Sequence, residues 1–169
     1  MRLRRILFAL SLLLLCALAA YAAWRSAGLR AWLSAYETAR ADALTQQPDA
    51  ARAHYRRALR INLHDAQARL QLARLELDQH RPEHAYLELQ TLTELHPQLA
   101  EAWIALAQLM QERGLLEEPE TALTQALQAA PDNVQALQLR AVLRHRLGAH
   151  YSAALDLRRA LAASPASPT

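Results

Sequence analysis

Apolar residues fall along this chain in two different patterns. Residues 6–24, ILFALSLLLLCALAAYAAW, form an unbroken run without a charge. Nineteen helical residues span roughly 28 Å, close to the thickness of a bilayer's hydrocarbon core. Past residue 31 the pattern becomes helical and amphipathic. AWIALAQLMQERG reads as one helix closed by Gly114, and ETALTQALQAAP as a second closed by Pro131.

These paired stretches recur. Pro97, Pro131 and Pro165 are thirty-four residues apart, with Leu63 in the same slot one period earlier. Ala39, Ala73, Ala107 and Ala141 make a second column. Ala51, Ala85, Pro119 and Ala153 make a third, Ala58, Leu92, Ala126 and Ala160 a fourth, and Gly114 and Gly148 repeat the interval again. The period predicts four helical hairpins, at about 32–65, 66–99, 100–133 and 134–165, with a tail at 166–169. Small residues suit the line where two helices cross closely. A lone hairpin cannot bury its apolar stripe, so such units stack.

The third unit carries Trp103-x-x-Leu106-Ala107-x-x-Met110, then Leu123, Ala126 and Pro131. In these residues the chain resembles the tetratricopeptide repeat family, over about residues 32–165. The resemblance implies an all-α, right-handed α-solenoid of about four hairpins behind the N-terminal transmembrane helix. It also implies a concave groove, lined by the first helices, that holds a peptide or helix of a protein partner. In the thirty-four-residue register the groove columns are Tyr36, Leu70, Ile104, Gln138, then Arg40, Arg74, Gln108, Val142, then Ala43, Leu77, Gln111, His145. Arg69, Glu76, Arg140 and Arg144 occupy slots where the family has large apolar residues, and Thr38 and Asp42 do so in the first unit. The lysine and asparagine clamp by which some relatives hold a C-terminal carboxylate is missing: the chain has no lysine, and its only asparagines are Asn62 and Asn133.

One motif suggests other chemistry. His80-Arg81-Pro82-Glu83-His84 reads as H-x-x-E-H, a zinc peptidase signature that needs both histidines on one helix. Here His80 shares the column of Gly114 and Gly148, and Pro82 suits the first turn of a helix. The string is therefore expected to be an inter-helix turn, with no metal. No Gly-rich phosphate loop and no G-x-S-x-G appear, so neither enzyme activity nor a cofactor is expected. At the far end, Tyr151, Ala154, Leu155, Leu157, Ala160 and Leu161 give the last helix more apolar surface than its partner helix can cover. This predicts a terminal flank open to docking or self-association.

Charge adds orientation. All 19 basic residues are arginine and there are 16 acids, and the net +3 equals Arg2, Arg4 and Arg5. The remainder is neutral, without a nucleic-acid signature. Residues 1–5 read as a cytoplasmic tip, 6–24 as the membrane helix with Tyr21 and Trp24 at its interface, and 25–31 as a juxtamembrane linker. Ala17-Leu18-Ala19 and Ala20-Tyr21-Ala22 would suit signal cleavage, but the apolar run outlasts a usual signal segment. The single cysteine, Cys16, excludes an intrachain disulfide. The expectation is a single-pass bacterial inner-membrane protein with its repeats in the periplasm, a scaffold or adaptor for assembling a membrane or envelope complex. Two alternatives stand beside it: an integral accessory subunit of a larger membrane complex, and a soluble periplasmic binding protein after cleavage.

Overall fold

The computed structural model describes residues 2–44 and 46–164, with side chains from residue 21 onward. Met1, Thr45 and residues 165–169 lie outside the described residues, as do the side chains of 2–20, which carry most of the expected membrane segment. Among the residues described with their side chains, from 21 onward, no helix is long and apolar enough to cross a membrane.

Eight helices and no strand are present among the described residues. They are α1 (Arg2–Asp42), α2 (Pro48–Ile61), α3 (Ala66–Asp78), α4 (Pro82–Leu95), α5 (Ala100–Glu112), α6 (Glu117–Ala129), α7 (Val134–Arg146) and α8 (His150–Ala163). Residues 25–31, read as a linker, continue α1 without a break. The chain divides into two compact units, Met1–Ala68 and Arg69–Thr169.

Local chemistry explains the boundaries. Pro48 and Pro82 open α2 and α4, where a missing N–H costs nothing. Asp65 and Asn133 cap α3 and α7, each side chain accepting from the backbone N–H three residues on. His80, Gly114 and Gly148 all have positive φ, at 56°, 79° and 80°. Each is followed by a residue whose N–H donates five residues back, as Arg81 does to the Glu76 carbonyl at 2.8 Å. That left-handed C-terminal turn favours glycine, and His80 adopts it at a conformational cost.

In the second unit the core runs through Ile104, Ala107, Leu123, Ala126, Leu127, Ala136, Leu137 and Leu143. The alanine column fits tightly there, since Ala73, Ala107 and Ala141 are buried.

The first hairpin departs from the thirty-four-residue register. Its buried positions on α1 are Ser34, Glu37, Thr38 and Ala41, whereas Ala39 is exposed. The same spacing in the second hairpin is Arg69, Leu72, Ala73 and Glu76, all buried, and thirty-five residues on. Thr38, not Ala39, therefore takes the small-residue slot. Thr38 and Ala51 stand thirteen residues apart where Ala73 and Ala85 stand twelve apart, so one extra residue between the two helices shifts the register of α1 by one position relative to α2.

Candidate functional site

The residues expected in the groove do not all meet. Arg74, Leu77, Ile104 and Gln108 line one open recess of about 240 Å³ in the second unit, joined by Glu101, Glu112 and Gln135. The recess is built from α3, α5 and α7, the first helices of three successive hairpins. Their shared register brings together residues about thirty-four apart in sequence. Ile104 is buried and forms the floor with Leu109. Arg74 on α3 donates to the Glu101 carboxylate on α5, which ties the two walls together. That pair satisfies its own charge and leaves Glu112, with the Gln108 and Gln135 amides, as the polar groups facing the opening. Amide side chains both donate and accept, as recognition of a peptide backbone requires, and the apolar floor can take a side chain.

Other groove residues sit elsewhere. Leu70 is buried and does not reach the recess. Gln111 is half-buried outside it, and Gln138 is exposed. His145 is exposed with its Nδ1 3.0 Å from that of His150, beside a separate apolar depression that Val142 and Leu157 also line. Tyr36 and Arg40 belong to the first unit and are exposed, but the rotation of α1 moves them off the groove columns by one position; Ala35 and Ala39 occupy those columns. Ala43 lies just past the end of α1. His80 and His84 flank the start of α4, one in the left-handed turn and one in the helix, so H-x-x-E-H does not present one helical face.

A polar feature went unread in the sequence. Position 54, 88 or 156 on the second helix of three hairpins carries His54, Glu88 or Asp156, each bound to the first helix of its own hairpin. His54 Nδ1 lies 2.7 Å from the Glu37 carboxylate, and Arg69 donates to Glu88 at 2.7 Å. Hydrogen bonding to His54, aided by Arg57, holds the Glu37 carboxyl below its usual range against the opposing effect of burial. On α2, burial raises the Tyr55 hydroxyl well above its ordinary value, helped by its hydrogen bond to Asp42. Asp156 is 2% exposed and accepts from Arg140 Nε at 2.9 Å, Arg140 Nη2 at 2.7 Å and Arg144 Nη1 at 2.9 Å. Arg140 also donates to Thr124, and Arg144 to Glu120 at 2.7 Å, which fastens α7 to α6. The third hairpin has Ala122 in this column, with Leu106 and Met110 at the positions of Arg140 and Arg144, all buried and apolar. The arginines that break the family pattern are thus matched by acids at one recurring position. That column could have been found by asking which acids share the thirty-four-residue interval.

On the terminal helix, Tyr151, Leu155, Leu157 and Leu161 are all exposed. Their meanings differ. The columns of Tyr151 and Leu155 are exposed in earlier hairpins too, at Glu83, Glu117, Leu87 and Thr121. Leu157 and Leu161 are 47% and 69% exposed, whereas Leu123 and Leu127 in the same columns are 0% and 7% exposed.

Comparison with known proteins agrees with this architecture. The tetratricopeptide repeat family model matches residues 43–109. Among solved structures the chain is similar to MamA, with 17% identity over 83% of this chain and 74% of that one, at a TM-score of 0.64. It is similar to TTC0263, a thermophilic TPR protein of Thermus thermophilus, with 23% identity over 78% and 74%, at 0.60. It is also similar to YrrB, described as a TPR protein with an unusual peptide-binding site, with 18% identity over 73% of this chain and 64% of that one, at 0.60. No curated protein sequence matches the chain. The family match and the shared fold together support tetratricopeptide-type helical hairpins.

Proposed function

We propose that the chain is a membrane-anchored tetratricopeptide-type scaffold that holds protein partners in the recess between α3, α5 and α7. The observation that carries this reading is the recess itself. Its walls come from three first helices, and it offers an apolar floor with two amides beside a carboxylate. An extended peptide segment or the face of an amphipathic helix suits such a lining. The peptide-binding site named for YrrB is a property of that protein, and it makes a peptide ligand a reasonable expectation for this fold. Gln108→Arg with Gln135→Arg fills the recess from its rim without touching the core. Partner capture from detergent-solubilised membranes should fall at least about tenfold with helicity unchanged, since charges placed against a fitted partner are strongly unfavourable. Equal yields of the same partners would remove the recess from the binding site.

The anchor rests on the uncharged run at 6–24 behind three arginines. On this reading the hairpins lie on the far side of a bacterial inner membrane and are confined to the membrane plane, which raises their effective concentration toward membrane-bound partners. An adaptor for assembling a membrane or envelope complex is the role that follows. A reporter fused after Thr169 should be active only if it is one that needs export. Activity of a cytoplasm-only reporter there would reverse the orientation.

A further inference from the structure

Repeat columns give each end of the hairpin series a comparison that a single helix lacks. At the junction of α6 and α7, Leu123 and Leu127 are covered and belong to a core with Ala136, Leu137 and Leu143. On α8 the same columns are Leu157 and Leu161, which are open. The complementary face is open on α1. In its corrected register Leu33 matches Ala102 and Ala136, both fully buried, and Tyr36 matches the half-buried Ala105 and Leu139. Leu33 and Tyr36 are exposed, Tyr36 by half. One end thus shows the side of a second helix that a following first helix covers elsewhere. The other shows the side of a first helix that a preceding second helix covers elsewhere.

We infer that these two faces are one interface, made between two copies of this chain head to tail, and that it repeats the α6–α7 junction. The match of both open faces to one built junction supports a second copy as the occupant. At that junction Arg140 donates to Thr124, and the matching positions of the copy-to-copy contact are Glu37 and the exposed Arg158. Glu37 is a buried carboxylate that His54 and Arg57 already hold in its own hairpin, so Arg158 would join an acid cluster rather than meet a free charge. The ion pair of Glu120 and Arg144 is matched by the exposed Ala154 and the buried Ala41, which place no charge at that point. No column pairs like charges among these. An interface of this kind uses different patches on the two copies, so it can propagate beyond a dimer. It is separate from the recess between α3, α5 and α7.

The test uses the full-length protein in mild detergent, with mass followed by sedimentation across a concentration series. Wild-type mass is expected to climb past two copies. Leu157→Glu with Leu161→Glu closes the tail face, and Leu33→Glu with Tyr36→Glu closes the head face; each should leave a single copy. Mixed one to one, the two variants should form a complex of two copies and no larger species, because one head and one tail remain. Arg158→Glu, at an exposed position, should weaken association on the order of tenfold with the fold intact, even if a leucine variant misfolds. A wild-type protein that stays single at the highest concentration overturns the proposal. So does an Arg158→Glu variant that associates as wild type, or two folded end variants that remain apart when mixed.

Discussion

Asp156→Ala is expected to lower the unfolding free energy by about 3–5 kcal/mol, the usual cost of removing one partner from a buried charge network. Asp156 receives three hydrogen bonds from Arg140 and Arg144, and its side chain is almost fully enclosed. Removing it leaves Arg140 with Thr124 alone and Arg144 with Glu120 alone. Arg140 is buried, so water cannot readily replace the lost carboxylate. Urea unfolding of the folded variant measures the loss, and a change under about 1 kcal/mol would mean that water already reaches the pair.

The third hairpin shows what the network replaces. Leu106, Met110 and Ala122 stand where the fourth has Arg140, Arg144 and Asp156. Installing that set as Arg140→Leu, Arg144→Met and Asp156→Ala exchanges the buried arginine–aspartate cluster for an apolar set and leaves only the half-buried Thr124 and Glu120 without their arginines. Such exchanges are often neutral or stabilising. The triple variant should therefore recover most of what Asp156→Ala loses. Two substitutions added to a damaging one would then repair it, which separates the cost of an orphaned charge from the worth of the whole network.

How much of this was legible from the residues depended on the kind of signal. Hairpins two to four follow the interval because Ala73, Ala107 and Ala141 each sit where two helices cross, and a larger side chain there would force them apart. The inter-helix turn at His80 was legible for a similar reason: its column holds Gly114 and Gly148. Arg69, Arg140 and Arg144 were visible as exceptions, but their acids were not. Periodicity in apolar residues ranks a buried carboxylate as a surface one unless its partner's column is also considered. The recess was half legible. Arg74, Leu77, Ile104 and Gln108 came from the interval, while Glu112 and the pair Glu101 and Gln135, themselves thirty-four residues apart, lie off the groove columns. The register of α1 was not legible, because alanine stands at 35, 39 and 41 alike. A one-residue change in loop length leaves no mark in so uniform a stretch.

That ambiguity gives a paired prediction in which two members of one sequence column respond differently. Ala107 is fully buried where α5 meets α6, in an environment that includes Leu123 and Ala126. Ala107→Leu adds three carbons to a filled site, and overpacking of this kind costs about 1–3 kcal/mol. Coupling between neighbouring hairpins should spread the loss, so the second unit should still melt in one transition at a lower temperature. Ala39 stands sixty-eight residues earlier in the same column but is exposed on α1. Ala39→Leu meets solvent rather than a neighbouring helix, and its effect should stay within about 0.5 kcal/mol. Thr38→Leu should be costly instead, since Thr38 is buried at the crossing and its hydroxyl donates to the Ser34 carbonyl at 3.1 Å. Thermal unfolding of the three variants decides the register. Equal losses from Ala39→Leu and Ala107→Leu, with Thr38→Leu tolerated, would restore an uninterrupted thirty-four-residue interval and return Tyr36 and Arg40 to the groove columns.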